Sequence, residues 1–504
     1  MRECACLGLG KGAWSVEKQW RDRGGYLDCV GCEDFTPGLA AGESADMHSR
    51  FFAGGLLAAL VAFAFSSHAD ELRLASFVAD VTPPIGSPLC NGSIKPAANI
   101  EEPLTARGVV LIPGGEEKPI VLCVADFVGI YNASHDAWRK ALAEAAGTTP
   151  ERVSVHTIHN HDAPGYDVSA LEVLEKENLP DSMALRSAHG HAIETTAAAL
   201  RDSLVNAAPV THLGLGKGVV EEFASNRRIL GPDGKLALAR MSSCRNPEAV
   251  AAPEGTIDPE LDLVSFWNGD EALAVLTFYA SHPQSYYGRG GVTPDTVGIA
   301  RNRRSEETGV LHVHFDGAGG NVAAGKYNDG SPEARAILID RVHAGMKAAW
   351  EAQEKRSLAP GDLDWTVAPT SLPWGGSFSE EELVAQLTDP DVDVRTRIRA
   401  ARDAVYLRRW KEGAKIDINC LRLGDARLLF FPGELFVEYQ LAAKAMRPDD
   451  FVALAAYGDG GPGYIGTEIA YSQGGYEVGR VSRVSPDVQA VLEKVTRNLL
   501  EMEP

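Results

Sequence analysis

Three times in this chain an apolar, β-branched run stops at a turn and is followed by a histidine or a glutamate. Residues 152–158 give way to His159-Asn160-His161 and a Pro164-Gly165 turn. Residues 273–280 are followed by Ser281-His282-Pro283, and residues 427–431 by Pro432-Gly433-Glu434. Runs of this composition bounded by Pro or Gly read as strands. Side chains alternate along a strand, so His159 and His161 point the same way if extended geometry persists through them. Open α/β sheets tend to place ligands at the carboxyl ends of their strands. Each residue also has an ordinary reading: two histidines capping a turn, a hydrogen-bonded core histidine, a carboxylate beside the amides of a first helical turn. Taken together they have the ligand chemistry of zinc, imidazole nitrogens plus a carboxylate oxygen.

Strand and helix patterns alternate along the chain. Strands are expected at 109–112, 120–124 and 152–158, and helices at 133–146, 187–205, 332–355 and 486–501. This predicts an α/β (mixed α+β) fold: a mixed β-sheet core flanked by helices, with an active site on loops at strand ends. A Pro- and Gly-rich stretch at 358–379 is the best place for a subdomain border, although residues 70–504 read as one large catalytic domain. Residues 391–409 read as a solvated amphipathic helix. The G-x-G-x-x-G run Gly458 to Gly463 leads to Pro462 and Tyr464 rather than a helix start, which speaks against a dinucleotide site. No G-x-S-x-G nucleophile signature is present.

A net charge of −21 argues against nucleic acid or an anionic membrane surface as partner, since both demand basic patches. It leaves room for a lipid substrate, which needs an apolar groove. Residues 47–69 read as a secretory signal peptide cleaved after Ala69, so the protein is expected to be secreted or periplasmic, with no stable membrane span after cleavage. Residues 1–46 then read as a disordered extension from a start site placed too far upstream, and the zinc-like set Cys4, Cys6, Cys29 and Cys32 within it as meaningless. Export would permit disulfides among Cys90, Cys123, Cys244 and Cys420, but three pairings are open and Cys123 reads as a buried thiol.

These motifs, in order, resemble the catalytic domain of the neutral (alkaline, non-lysosomal) ceramidase family. Ala79 to Gly86 is similar to that family's start, His159 to Pro164 to its first metal motif, and Ala280 to Ser285 to its second histidine segment. Phe431 to Glu434 is similar to its glutamate segment, Gly463 to Thr467 with Gly475 to Glu477 to its two-tyrosine stretch, and Asn226-Arg227 to its substrate-side arginine. The resemblance spans about 75–480. It implies one Zn2+ per chain held by His159, His282, Glu434 and Tyr464, with His161, Arg227 and Tyr476 acting on the substrate. It implies metal-assisted hydrolysis of an N-acyl amide, ceramide or a related small molecule or lipid, and metabolism of sphingolipids. The family's active-site serine is replaced here by a glycine, Gly319, in the loop Asp316 to Val322. Gly317, Gly319, Gly320 and Asn321 are expected to let backbone approach a ligand and bind an oxyanion. The loss of the hydroxyl leaves other readings open: a zinc-retaining relative that binds without cleaving, or a hydrolase of a different amide or ester. The chain ends soon after the tyrosine stretch, so the family's C-terminal β-sandwich is not expected, and no oligomeric state follows from the sequence.

Overall fold

Three sheets carry the molecule, each built the same way: antiparallel strands with one parallel pair at an edge. A computed structural model describes residues 71–178, 182–285 and 288–501. The expected extension at 1–46 and signal segment at 47–69 lie outside the described residues.

The first sheet runs Val153–Thr157, Ile120–Ala125, Thr105–Ile112, Arg73–Asp80, Ala208–Pro209, and its parallel pair is the first two of these. The second runs His312–Asp316, Glu271–Tyr279, Glu260–Asn268, His212–Val219, Glu354–Ser357, again parallel at the first pair. The third runs Leu363–Thr370, Ile416–Leu423, Ala426–Phe430, Phe451–Ala455, parallel at the last pair. Parallel pairing requires a crossover and favours burial on both faces. Ile120–Ala125, Val153–Thr157, His312–Asp316 and Ala426–Phe430 are accordingly buried at every position.

One apolar core, from Leu122 through Leu276 and Phe315 to Phe430 and Ala453, joins all three sheets. Helix Ala133–Ala146, with Trp138 and Leu142, covers the outer face of the first sheet. Helices Val437–Met446 and Val488–Leu499 cover the outer face of the third. Burying a Leu- or Phe-sized side chain contributes about 1.5–3 kcal/mol, so this shared core holds the sheets as one body.

The mixed α+β architecture expected from sequence is the one observed. Helix Ala133–Ala146 falls where the pattern puts it, ended by Gly147 at φ 68, a left-handed conformation that costs glycine little. Helix Pro332–Glu351 is shorter than expected. The residues assigned to its end form the edge strand Glu354–Ser357, because pairing with His212–Val219 overrides a weak local helical preference. The Pro-rich stretch at 358–379 contributes strand Leu363–Thr370 to the third sheet. Pro369 is tolerated there because that strand lies at the sheet edge. Among the described residues, no helix is long and apolar enough to cross a membrane.

Candidate active site

The parallel edges bring the histidines and the glutamate together. His159 follows strand Val153–Thr157, His282 follows Glu271–Tyr279, and Glu434 follows Ala426–Phe430. His159 sits at φ 52, an uncommon conformation for a residue with a Cβ, and its Nδ1 donates to the Val128 carbonyl at 2.6 Å. That bond fixes the tautomer and turns a bare Nε2 into the site. Glu434 stands beside Tyr464 in the short parallel ladder of Glu434–Leu435 with Tyr464–Ile465.

The donor atoms converge. His159 Nε2 lies 3.2 Å from Glu434 Oε2, and His282 Nε2 lies 4.0 Å from the same oxygen. His161 Nε2 and His282 Nε2 are 3.1 Å apart, and one nitrogen from each of the three histidines falls within 4.8 Å of the others. His159 Nε2 and Glu434 Oε2 are buried without a hydrogen-bond partner among the described residues. Buried polar atoms left this way cost about 1–3 kcal/mol each. A tetrahedral ion with bonds near 2.0–2.1 Å spaces its ligand atoms about 3.3 Å apart, so these residues fit a divalent cation. Burial holds His161 and His282 well below the ordinary histidine range, helped by His159 and Arg227. Both are therefore neutral imidazoles at pH 7, the form that ligates metal. The sequence reading keeps His161 apart as a proton carrier; here its Nε2 faces the same point as the other two imidazoles.

Tyr464 stacks near His282, with ring centroids 6.2 Å apart, and its hydroxyl accepts from Arg227 at 3.0 Å. Burial opposes the charge on Arg227, but Tyr464 and Glu477 together push its pKa up. Glu477, itself buried, lies 3.4 Å from Arg227 and 3.1 Å from Arg228. Tyr476 is 53% exposed; its ring sits 5.8 Å from that of Tyr464 and 6.0 Å from the Arg227 guanidinium.

The loop after His312–Asp316 packs tightly under these residues. The amides of Gly317 and Gly320 donate to the carbonyls of Tyr279 and Leu435, and Ala318 donates to Gln440. Asn321 donates to Glu438 and accepts from the Val437 amide. A Cβ on Gly319 would stand 2.9 Å from the Ser281 carbonyl carbon, 3.0 Å from the Tyr457 hydroxyl and 3.1 Å from the His282 amide. Glycine is needed at this position because the space a side chain would take is filled.

Tyr457 is a residue that the sequence reading missed. It stacks on His159 at 4.4 Å between centroids, and its hydroxyl lies 3.4 Å from His282 Nδ1. Its only sequence signal is its place at the end of an apolar run, just before Gly458. Cys90, whose Sγ is 3.5 Å from His161 Nδ1, gave no signal at all. The four cysteines described are free thiols.

A cavity of about 420 Å3 opens onto His159, His161, Glu434, Tyr464 and Tyr476. Its other wall is helix Val394–Lys411, the element read from sequence as a solvated amphipathic helix. Gly460 and Gly463 also line the cavity, and strand Tyr464–Ile465 follows them where a dinucleotide site would need a helix.

A three-sheet α+β frame with buried histidines at its parallel edges is the class of protein that fold and site define. The fold is that of neutral ceramidase. The crystal structure of neutral ceramidase from Pseudomonas aeruginosa matches 86% of this chain and 75% of its own, with a TM-score of 0.62 and 17% sequence identity. A structure of ceramidase complexed with C2 matches 85% of this chain and 74% of its own, with a TM-score of 0.63 and 16% identity. At these identities the likeness is one of fold, and it is the fold that the sequence motifs imply. No family model matches the chain, and no curated protein sequence does.

Proposed function

We propose that this protein is an exported zinc-dependent amidohydrolase, ceramidase-like, that cleaves an N-acyl amide bond. The observation that carries this reading is the convergence of the His159, His161 and His282 nitrogens with Glu434 Oε2 at the base of one cavity. Two imidazoles and a carboxylate suit zinc, and Tyr464 beside Glu434 is the fourth residue of the proposed set. A divalent cation held there would lower the pKa of its water to about 7 and polarise a carbonyl.

The chain's own residues supply the rest. His161, neutral and placed beside the proposed set of His159, His282, Glu434 and Tyr464, would pass a proton to the leaving nitrogen. Arg227, fixed by Tyr464 and Glu477, places positive charge where an oxyanion develops, and Tyr476 offers a hydroxyl at the open side. The amides of Gly317 and Gly320 are already engaged, so this role falls to the side chains. The second reading, a binder that holds metal without turnover, rests on Gly319, which brings no hydroxyl to the site.

The test is hydrolysis of an N-acyl amide panel, ceramide included, by the purified protein before and after chelation and after zinc is restored. The proposal expects turnover that chelator abolishes and zinc recovers, with bound zinc measured in parallel. Stoichiometric zinc without turnover on any member supports the binder, and turnover indifferent to chelator ends the metal reading.

A further inference from the structure

The wall of the cavity opposes the charge of the whole chain. The protein carries a net −21, yet the cavity is lined by Arg395, Arg399, Arg402, Arg480 and Arg483 against one carboxylate, Glu434. Arg483 is neutralised by Asp403 at 2.6 Å. Among the described residues, none of the other four has a carboxylate within ion-pairing distance.

The arrangement is imposed by the fold. On helix Val394–Lys411, residues 395, 399 and 402 recur at spacings of four and three, which sets them on one face. The opposite face buries Ala400, Ala401, Ala404 and Leu407 against Leu383, Leu387 and Leu174. The helix cannot turn its arginines to solvent without exposing that apolar seam. Arg402 Nε is buried with no hydrogen-bond partner, and its guanidinium lies over the Tyr131 ring at 5.7 Å. Like charges at these spacings repel by a few tenths of a kcal/mol per pair, and a buried unpartnered donor costs more. A concave wall of one sign focuses its potential on whatever enters. Val394 and Ile398 interleave with the arginines, so the same wall offers aliphatic contact.

We infer that the substrate bears an anionic group, carboxylate or phosphate, which lies against Arg399 and Arg402 while its acyl chain follows Val394 and Ile398. The guanidinium fork matches such oxyanions two bonds at a time. This narrows the proposed amidohydrolase reading to an anionic N-acyl amphiphile, such as an N-acyl amino acid, in place of a neutral ceramide.

The test uses ligands that cannot be hydrolysed, so it does not depend on turnover. N-dodecylsulfonyl-glycine, its O-phosphoethanolamine analogue and the neutral N-dodecylsulfonyl-ethanolamine are titrated calorimetrically into the purified full chain. At least one anionic probe should bind tenfold or more tighter than the neutral one, with an advantage that shrinks as salt rises. The better anion tells carboxylate from phosphate. In Arg399→Gln/Arg402→Gln the advantage should fall below threefold, and Arg399→Lys/Arg402→Lys should recover part of it. Equal binding of all three probes, no binding of any, or an anion preference that survives the glutamine pair overturns the inference. Anion preference without amide hydrolysis would defeat the amidohydrolase reading alone. Hydrolysis of neutral amides without anion preference would defeat only this one.

Discussion

The base of the cavity and its wall are assembled in different ways. The base gathers side chains from three sheets, each delivered by a strand end, so His159, His282 and Glu434 meet only because the whole core folds. Most of the wall's arginines come from one helix, where Arg395, Arg399 and Arg402 are neighbours by local geometry alone. The base is buried and tight; the wall is cationic and partly open. The contrast teaches that side chains gathered from distant strands depend on the whole core, while the charge of the wall is set by local helical spacing.

Breaking the base should have the largest effect. His282→Ala removes one of the converging nitrogens, and we expect loss of bound metal together with a fall in amide hydrolysis of at least about a thousandfold, in line with the loss of a metal's several kcal/mol of charge stabilisation. Metal analysis and steady-state rates measure both. Next comes Gly319→Ser, which restores the hydroxyl of the similar family but drives Cβ to 2.9 Å from the Ser281 backbone. Denaturant unfolding should show a loss of about 1–3 kcal/mol, partly recovered when Tyr457→Phe removes the crowding hydroxyl. Unchanged stability of the single variant would show that this part of the base is less tightly packed than described.

Tyr476→Phe separates the two regions, since Tyr476 is half-exposed between them. Metal content should stay the same while kcat falls about tenfold, a weaker loss than the hundredfold or more expected of a buried oxyanion donor. The smallest effect concerns the mounting of the wall. Asp393 caps helix Val394–Lys411 by accepting from the Thr396 amide at 3.0 Å. Asp393→Ala should cost about 1 kcal/mol, read as a small drop in Tm with metal content untouched.

The base was legible in the sequence because strand ends announce themselves. A Val- and Thr-rich run that stops before His159, and an apolar run that stops at Pro432-Gly433, mark both the element and the residue it delivers. Tyr457 was not legible, because stacking on His159 depends on how the first and third sheets meet. The wall was read only in part, for a related reason: the amphipathic helix is there, but its role at the cavity was not visible. Residues 391–409 carry the mixed charge of a solvated helix, and only the cavity shows that the arginine face looks inward. Similarly, the glycines of the 316–321 loop suggested an anion cradle, whereas the amides of Gly317 and Gly320 are bonded to neighbouring carbonyls. Local pattern names an element; what that element faces is decided by packing far away in sequence.

The most direct test is anomalous diffraction at the zinc edge from crystals of the purified protein. A single peak is expected, bonded at about 2.0–2.2 Å to His159 Nε2, His282 Nε2 and Glu434 Oε2. Zinc-supplemented crystals with no peak among these atoms, or with the ion held elsewhere, would contradict the account.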